Sequence, residues 1–272
     1  MSIITITTDL GYRDPYLAMV KGLIYSKQPS CNIVDLACDV NHHAHSEGAF
    51  ALRSALPYFP RDTVHLFAIK FLNSSETITN LSVDNTRYLL TKYKDQYIVC
   101  PDNGLLTLLD KQFNEPVYQL YFDNEQQHSF YLRDVFTDIA DKLLNKVPLE
   151  EFCSQTHDYC KLYNFESFST PSNLQGMVLY EDHFGNLITS ITKKEFERHV
   201  GNKRFSINLP SSSITKLYNT YDDVKIGDVV CFFNSMDLLE IAALGQSATK
   251  IVIKRHVLSK YKIDKIIVDI YD

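Results

Sequence analysis

The chain has 272 residues, 45% hydrophobic and 22% charged, which is enough for one large or two medium domains with buried cores. Its net charge of −6 is scattered rather than gathered into a basic stripe, which argues against nucleic acid as a partner. No apolar run approaches the ~18 residues of a membrane span, and the six cysteines form no C-x-x-C pair, so buried reduced thiols are expected.

The β-branched run Ile3–Thr8 reads as a strand. No basic segment with an apolar core stands before it, so a cytoplasmic location is the expectation. Asp14-Pro15 has the form of an N-cap followed by proline at the first helical position. Leu17, Val20 and Ile24 then mark one buried helical face. Asn32–Leu36 reads as a second strand, Ser46–Leu56 as a helix and Thr63–Ile69 as a third strand. A fourth, Tyr97–Cys100, stops at Pro101-Asp102-Asn103-Gly104, and Val135, Phe136, Ile139, Ala140, Leu143 and Leu144 mark another helix. Alternating strands and helices predict an α/β domain over 1–165, its sheet mostly parallel and covered by helices.

Residues 166–176 are rich in Ser, Thr, Pro, Asn and Gly and read as a linker. From 177 to 272 short β-type runs dominate: Met177–Tyr180, Leu187–Ile191, Phe205–Leu209, Val229–Phe233, Ile251–Ile253 and Lys265–Ile270. Such spacing predicts a small, barrel-like C-terminal β domain.

Two polar-plus-glycine stretches carry the chemistry, T-T-D-L-G at 7–11 and D-H-F-G-N at 182–186. Asp9 stands at the expected carboxyl end of the first strand. It is compatible with a plain turn aspartate or with a carboxylate that accepts from vicinal hydroxyls, as acidic residues do with ribose. In an extended segment, Asp182, Phe184 and Asn186 would share one face. An acid, a ring and an amide there suit a flat heterocycle with a polar tail, while a hairpin turn with Phe184 in the core is the structural alternative. Ser235, after the apolar run 229–233, and Gly245, near Ser247, are weaker candidates for ligand contact. In Asn41-His42-His43-Ala44-His45 the two adjacent histidines cannot both face one site in a strand, and no acid or cysteine has ligand-like spacing, so no metal is expected. There is no G-x-G-x-x-G, P-loop or G-x-S-x-G, and no cofactor is predicted.

Taken in order, T-T-D-L-G-Y-R-D-P-Y-L-A-M-V-K-G, Ile33-Val34-Asp35, P-D-N-G-L-L, D-H-F-G-N-L-I-T-S-I and N-S-M-D-L-L-E-I-A resemble the S-adenosylmethionine hydroxide adenosyltransferases and their fluorinase and chlorinase relatives. The resemblance implies a homotrimer that binds the nucleoside between the first domain of one subunit and the second domain of its neighbour. It implies that Asp9 takes the ribose hydroxyls, that Asp14 lies near the methionine portion, and that Asp182 meets the amino-acid end of the substrate. Phe184 would stack on adenine, Asn186 would bond its edge, Ser235 would contact the methionine carboxylate, and backbone near Gly245 would touch adenine. The implied reaction is displacement of methionine at the 5′ carbon.

The chain departs from the family where the nucleophile is handled. Lys70 stands where the hydroxide-using branch has an aspartate, Thr77 near its arginine, and Tyr131-Leu132 where it has His-Gly. The implied activating set is therefore missing from its usual places, although His128 is close in sequence to Tyr131. Leucine at 132 offers a halide no hydrogen bond, which leaves water as the default nucleophile. A lysine at about 5 Å from a sulfonium, at an effective dielectric of about 20, would repel it by roughly 3 kcal/mol. The expected function is S-adenosylmethionine hydrolysis to adenosine and methionine. The alternative is a binding protein that keeps the nucleoside cleft and has lost catalysis.

Overall fold

A computed structural model describes residues 2–69, 84–110, 112–121, 130–162, 167–209, 212–253 and 265–271. The chain divides into two compact units, Met1–Tyr163 and Asn164–Asp272.

The first unit is built on β1 (Ile3–Thr8), α1 (Tyr16–Lys27), β2 (Asn32–Ala37), α2 (His45–Ala55) and β3 (Val64–Ala68). Then come β4 (Asp84–Tyr93), β5 (Gln96–Asp102), α3 (Leu105–Leu109), β6 (Val117–Leu120), α4 (Thr137–Leu144) and β7 (Cys153–Thr156). The strands form one seven-stranded sheet in the order β2-β1-β3-β5-β4-β6-β7. Its first four strands are parallel, as the strand–helix alternation predicts. The remaining three extend it antiparallel from the β4–β5 hairpin, which the pattern did not reveal.

Alternation along β1 and β3 divides the core between the two faces of the sheet. Ile4, Ile6, Leu66 and Ala68 pack with Leu17, Val20 and Ile24 of α1 and with Ile139 and Leu143 of α4. Phe67 and Ile69 pack on the other side with Ala49 and Leu52 of α2 and with Leu105, Leu106 and Leu109 of α3. Helices thus cover both faces. Among the described residues no helix is long and apolar enough to cross a membrane.

The start of α1 differs from expectation. Pro15, not Asp14, is its N-cap residue, and no side chain bonds the first turn. The N-cap here is an αR proline, and the Pro15 carbonyl accepts from Met19 N at 2.9 Å, so the first turn is held by backbone alone.

The second unit comprises β8 (Phe168–Ser169), β9 (Asn173–Glu181), β10 (Leu187–Thr192), α5 (Lys193–His199), β11 (Arg204–Leu209) and β12 (Ser212–Ile214). It continues with β13 (Val229–Phe233), β14 (Leu238–Ala243), α6 (Ala248–Ile253) and β15 (Lys265–Tyr271). Its sheet is antiparallel throughout, in the order β12-β11-β15-β9-β10-β14-β13, with β8 added on β9. The edges bend toward each other: Tyr218 N, just beyond β12, donates to Cys231 O of β13 at 2.9 Å. The interior holds Leu174, Ile191, Ile207, Leu239, Ile241 and Val268, a barrel-like core.

The run Ile251–Ile253 is not a strand. It ends α6, because Ser247 accepts from Lys250 N at 3.2 Å through its hydroxyl and from Ile251 N at 3.1 Å through its carbonyl, starting a helical turn. All six cysteines are buried and free, as expected.

Candidate functional site

In the first unit, β1 pairs in parallel with β2 on one side and β3 on the other. Its carboxyl end is thus where the strand order reverses, the usual ligand position in open α/β sheets. Asp9 is the residue after β1 and is half-buried. One of its oxygens accepts from His43 N at 3.1 Å. His43 holds φ at 61°, a left-handed conformation rare for a residue with a side chain, and this turns its N–H onto the carboxylate.

Tyr131 lies in the same neighbourhood. It is 8% exposed, stacks on Tyr88 at 5.3 Å and meets Phe136 edge-on at 5.1 Å. Burial, and after it the Asp9 charge, holds its phenol well above the ordinary range. It directly precedes a π-helical turn, Leu132–Phe136, a local irregularity often met at functional sites. Leu132 itself is buried in the apolar core. Asp14 is exposed on the loop before α1. Lys70, Thr77 and His128 lie outside the described residues.

The P-D-N-G-L-L stretch is structural in this fold. Asp102, 2% exposed, accepts from Cys160 N at 2.7 Å and pairs with Arg87, which also reaches Asp158. Asn103 donates to Ile69 O at 2.7 Å and accepts from Leu105 N at 3.2 Å, tying the end of β3 to the start of α3. Gly104 sits at φ 85°, and a Cβ there would fall 2.3 Å from Leu162. Asp102, Asn103 and Gly104 hold the corner around which β3, β5 and segment 158–162 meet.

A second polar feature was not anticipated. His65, 1% exposed, bridges Thr5 Oγ1 at 2.7 Å and Gln96 Oε1 at 2.6 Å, and Gln96 donates onward to the carbonyls of Leu56 and Phe59. Burial pushes its pKa down, so the ring is neutral.

In the second unit, Asp182–Asn186 forms a tight turn between β9 and β10 rather than an extended face. Asp182 Oδ1 accepts from Phe184 N at 2.9 Å and Asn186 N at 2.8 Å, and its Oδ2 accepts from Asn186 Nδ2 at 3.0 Å. The short side chain competes successfully for local backbone donors, which breaks the alternation. Gly185, at φ 81°, is needed here because a Cβ would sit 2.1 Å from Ser247 Oγ. The turn is thereby pressed against the segment that leads into α6. Gly185 O accepts from both Thr249 N at 3.0 Å and Thr249 Oγ1 at 3.1 Å.

The turn pushes Phe184 outward, leaving it 74% exposed and not in the core. It stands at a cavity of about 570 Å³, lined also by Asn186, Tyr221 and the segment Ala243–Ser247. That volume suits a small organic ligand. The structure thus brings Phe184, Asn186 and Gly245 together. Asp182 supports them from behind, and Ser235, exposed in the β13–β14 turn, is not part of the lining.

From the cavity wall a partly buried polar chain runs inward. Asn186 Nδ2 reaches Tyr221 Oη at 3.4 Å, Tyr221 donates to Glu240 Oε1 at 2.6 Å, and Asn234 Nδ2 donates to Glu240 Oε2 at 3.0 Å. Burial, then the hydrogen bond to Glu240, raises the Tyr221 phenol above its ordinary range. Sequence reasoning missed Tyr221 and Glu240. The signal for Glu240 was present, a lone carboxylate in the apolar run Leu238–Ala243, which requires a buried partner. Tyr221 sits in a short helical turn without any pattern.

Among the described residues, no group of three or more His, Cys, Asp or Glu side chains is placed to hold a metal ion. Taken by itself, the cavity of the second unit suits a flat ring stacked on an exposed phenyl beside an amide, and the strand-end carboxylate of the first unit suits hydroxyl donors.

Comparison with known proteins places the chain in a family. A hydrolase of Methanocaldococcus jannaschii, named (R)-S-adenosyl-L-methionine hydrolase, is 25% identical over 265 residues, covering 93% of this chain and 92% of the relative. A fluorinase of Actinoplanes is 26% identical over 270 residues, covering 88% and 90%. A solved structure of an uncharacterized conserved protein from Thermotoga maritima superposes with a TM-score of 0.80 at 23% identity, covering 98% of this chain and 99% of the other, and shares the fold. The family models for the SAM hydroxide adenosyltransferase N-terminal and C-terminal domains match residues 4–153 and 176–253. The chain belongs to the SAM hydroxide adenosyltransferase family.

Proposed function

We propose that the protein binds S-adenosylmethionine and displaces methionine from the 5′ carbon with water, releasing adenosine and methionine. The observation that carries this reading is the outward-facing Phe184 beside Asn186 and a cavity of about 570 Å³, in a chain of this family. In this reading adenine stacks on Phe184, its edge meets Asn186, and backbone near Gly245 closes the pocket. Asp9, aimed by His43 N–H, takes the ribose hydroxyls. Asp14 and Ser235 serve the methionine end, and Asp182 serves it by holding the turn. The protein acts as a cytoplasmic homotrimer, in which the first unit of one subunit serves the second unit of a neighbour.

The chemistry asks little of an acid catalyst. The water oxygen attacks the 5′ carbon, the carbon–sulfur bond breaks, and its electron pair returns to sulfur, which leaves as a neutral thioether. The attacking water sheds a proton to solvent or a nearby base. The protein's part is to align water with the breaking bond and to strip competing solvent. In this reading Tyr131, buried near Asp9, orients that water. Leu132, buried and apolar, favours water over a halide, which would need hydrogen-bond donors.

Incubation of the purified protein with S-adenosylmethionine in buffer, chloride or fluoride, followed by chromatography, tests the reading. Adenosine and methionine in equal amounts under all three conditions are expected. A halo-nucleoside would reassign the nucleophile, and adenosine binding without any product would favour a binding protein.

A further inference from the structure

The hydrogen bonds behind the cavity run in one direction, and that direction decides what the cavity can recognise. Asn234 Oδ1 accepts from the backbone N–H groups of Met236 at 3.0 Å and Leu238 at 3.2 Å, so its Nδ2 must face Glu240. Glu240, 5% exposed, accepts that proton on one oxygen and the Tyr221 hydroxyl proton on the other. With its only proton committed, Tyr221 Oη can offer Asn186 nothing but a lone pair. Asp182 Oδ2, a carboxylate oxygen, is likewise acceptor-only toward the same amide. Both neighbours therefore demand the nitrogen of Asn186, which leaves its carbonyl oxygen, without a hydrogen bond among the described residues, as the atom it can present to a ligand.

We propose that Glu240 is a positioning residue that sets specificity: acting through Tyr221, and together with Asp182, it fixes the Asn186 amide so that the cavity takes a purine edge donating an N–H and disfavours one presenting a carbonyl. The ligand class is an amino-substituted purine nucleoside. This deepens the nucleoside-binding reading above and rests on it.

Glutamine at 240 would reverse the relay. The fixed Asn234 nitrogen would keep the glutamine oxygen, so the glutamine nitrogen would face Tyr221 and donate to it. The released Tyr221 proton would then point at Asn186 and compete with Asp182 for the orientation of the amide. Adding Asp182→Asn would remove the remaining acceptor-only neighbour and let the amide turn over.

The test is calorimetric titration of the full-length protein with adenosine and with inosine. The wild type is expected to bind adenosine roughly tenfold tighter than inosine. In Glu240→Gln that ratio is expected to fall to about threefold or less, and in Asp182→Asn/Glu240→Gln to invert. In a Tyr221→Phe background, Glu240→Gln should leave the ratio unmoved, which a merely structural role would not explain. A Glu240→Gln protein that is folded and keeps the wild-type ratio overturns the proposal, as does a wild type without preference. Should Glu240→Gln fail to fold, Asp182→Asn alone reads the relay from its other end, with a reduced ratio expected and an unchanged one contradicting it. Selective adenosine binding without S-adenosylmethionine turnover would retire the proposed reaction and keep this inference. Turnover with an unmoved ratio would do the opposite.

Discussion

The two acid-plus-glycine loops look alike in sequence and do different work. In T-T-D-L-G the aspartate gives one oxygen to a backbone N–H of the neighbouring loop and stays half-open at a strand end. In D-H-F-G-N the aspartate spends both oxygens on its own turn. What it exposes is the phenyl ring two residues on. One loop offers a charge and the other offers a surface. A carboxylate near the end of an apolar run is therefore a ligand candidate only when the donors of its own turn leave it free.

Substitution at the two aspartates should separate these roles. Asp9→Ala is expected to lower kcat/KM for S-adenosylmethionine about a hundredfold, the loss of about 3 kcal/mol from two charge-assisted bonds to hydroxyls. Its unfolding free energy should change by less than about 1 kcal/mol, because among the described residues it accepts from one backbone N–H. Steady-state kinetics paired with urea unfolding would show both effects. Asp182→Ala should reverse the pattern, costing about 2 kcal/mol of stability as three turn donors lose their acceptor. A variant at 182 that unfolds like wild type would erase the contrast.

Phe184→Ala sharpens the comparison from the surface side. The ring is 74% exposed, so its removal should leave the melting temperature nearly unchanged. Adenosine affinity should fall about tenfold, the worth of one base–aromatic stack. Unaltered adenosine binding in this variant would remove the ring from the site.

The smallest effect concerns the buried His65. Its folded pKa lies below the ordinary value of 6.5 because burial disfavours the charged ring. The unfolded chain therefore binds the extra proton first. The associated stability is full above about pH 6.5 and is lost as pH falls through the lower folded value. Thermal melts of His65→Gln across this range should show a shallower decline than wild type, and parallel curves would count against the neutral buried ring.

The parallel half of the first unit was legible because β1, β3 and their helices keep clean apolar periods. β4 was not, since Arg87, Thr91 and Lys92 interrupt its pattern, and Lys92 can lie in a strand by reaching Asp62 at the surface. β14 escaped for the opposite reason. All six of its residues are buried, so no alternation marks it. The lining of the second-unit cavity was legible as residue types (Phe184, Asn186, Gly245) but not as geometry. Asx-type bonding by Asp182 turned an expected flat face into a turn, and the polar chain through Tyr221 and Glu240 joins positions far apart in sequence. P-D-N-G-L-L, quoted above as a family motif, holds a corner through Asp102 and Asn103 and touches the chemistry only by supporting it.

The central claim is attack of water at the 5′ carbon, and isotopic labelling tests it most directly. In heavy-oxygen water, mass spectrometry should find the heavy atom in the 5′ hydroxyl of the adenosine released, with methionine unlabelled. Adenosine without the label, or label carried elsewhere, would contradict the account.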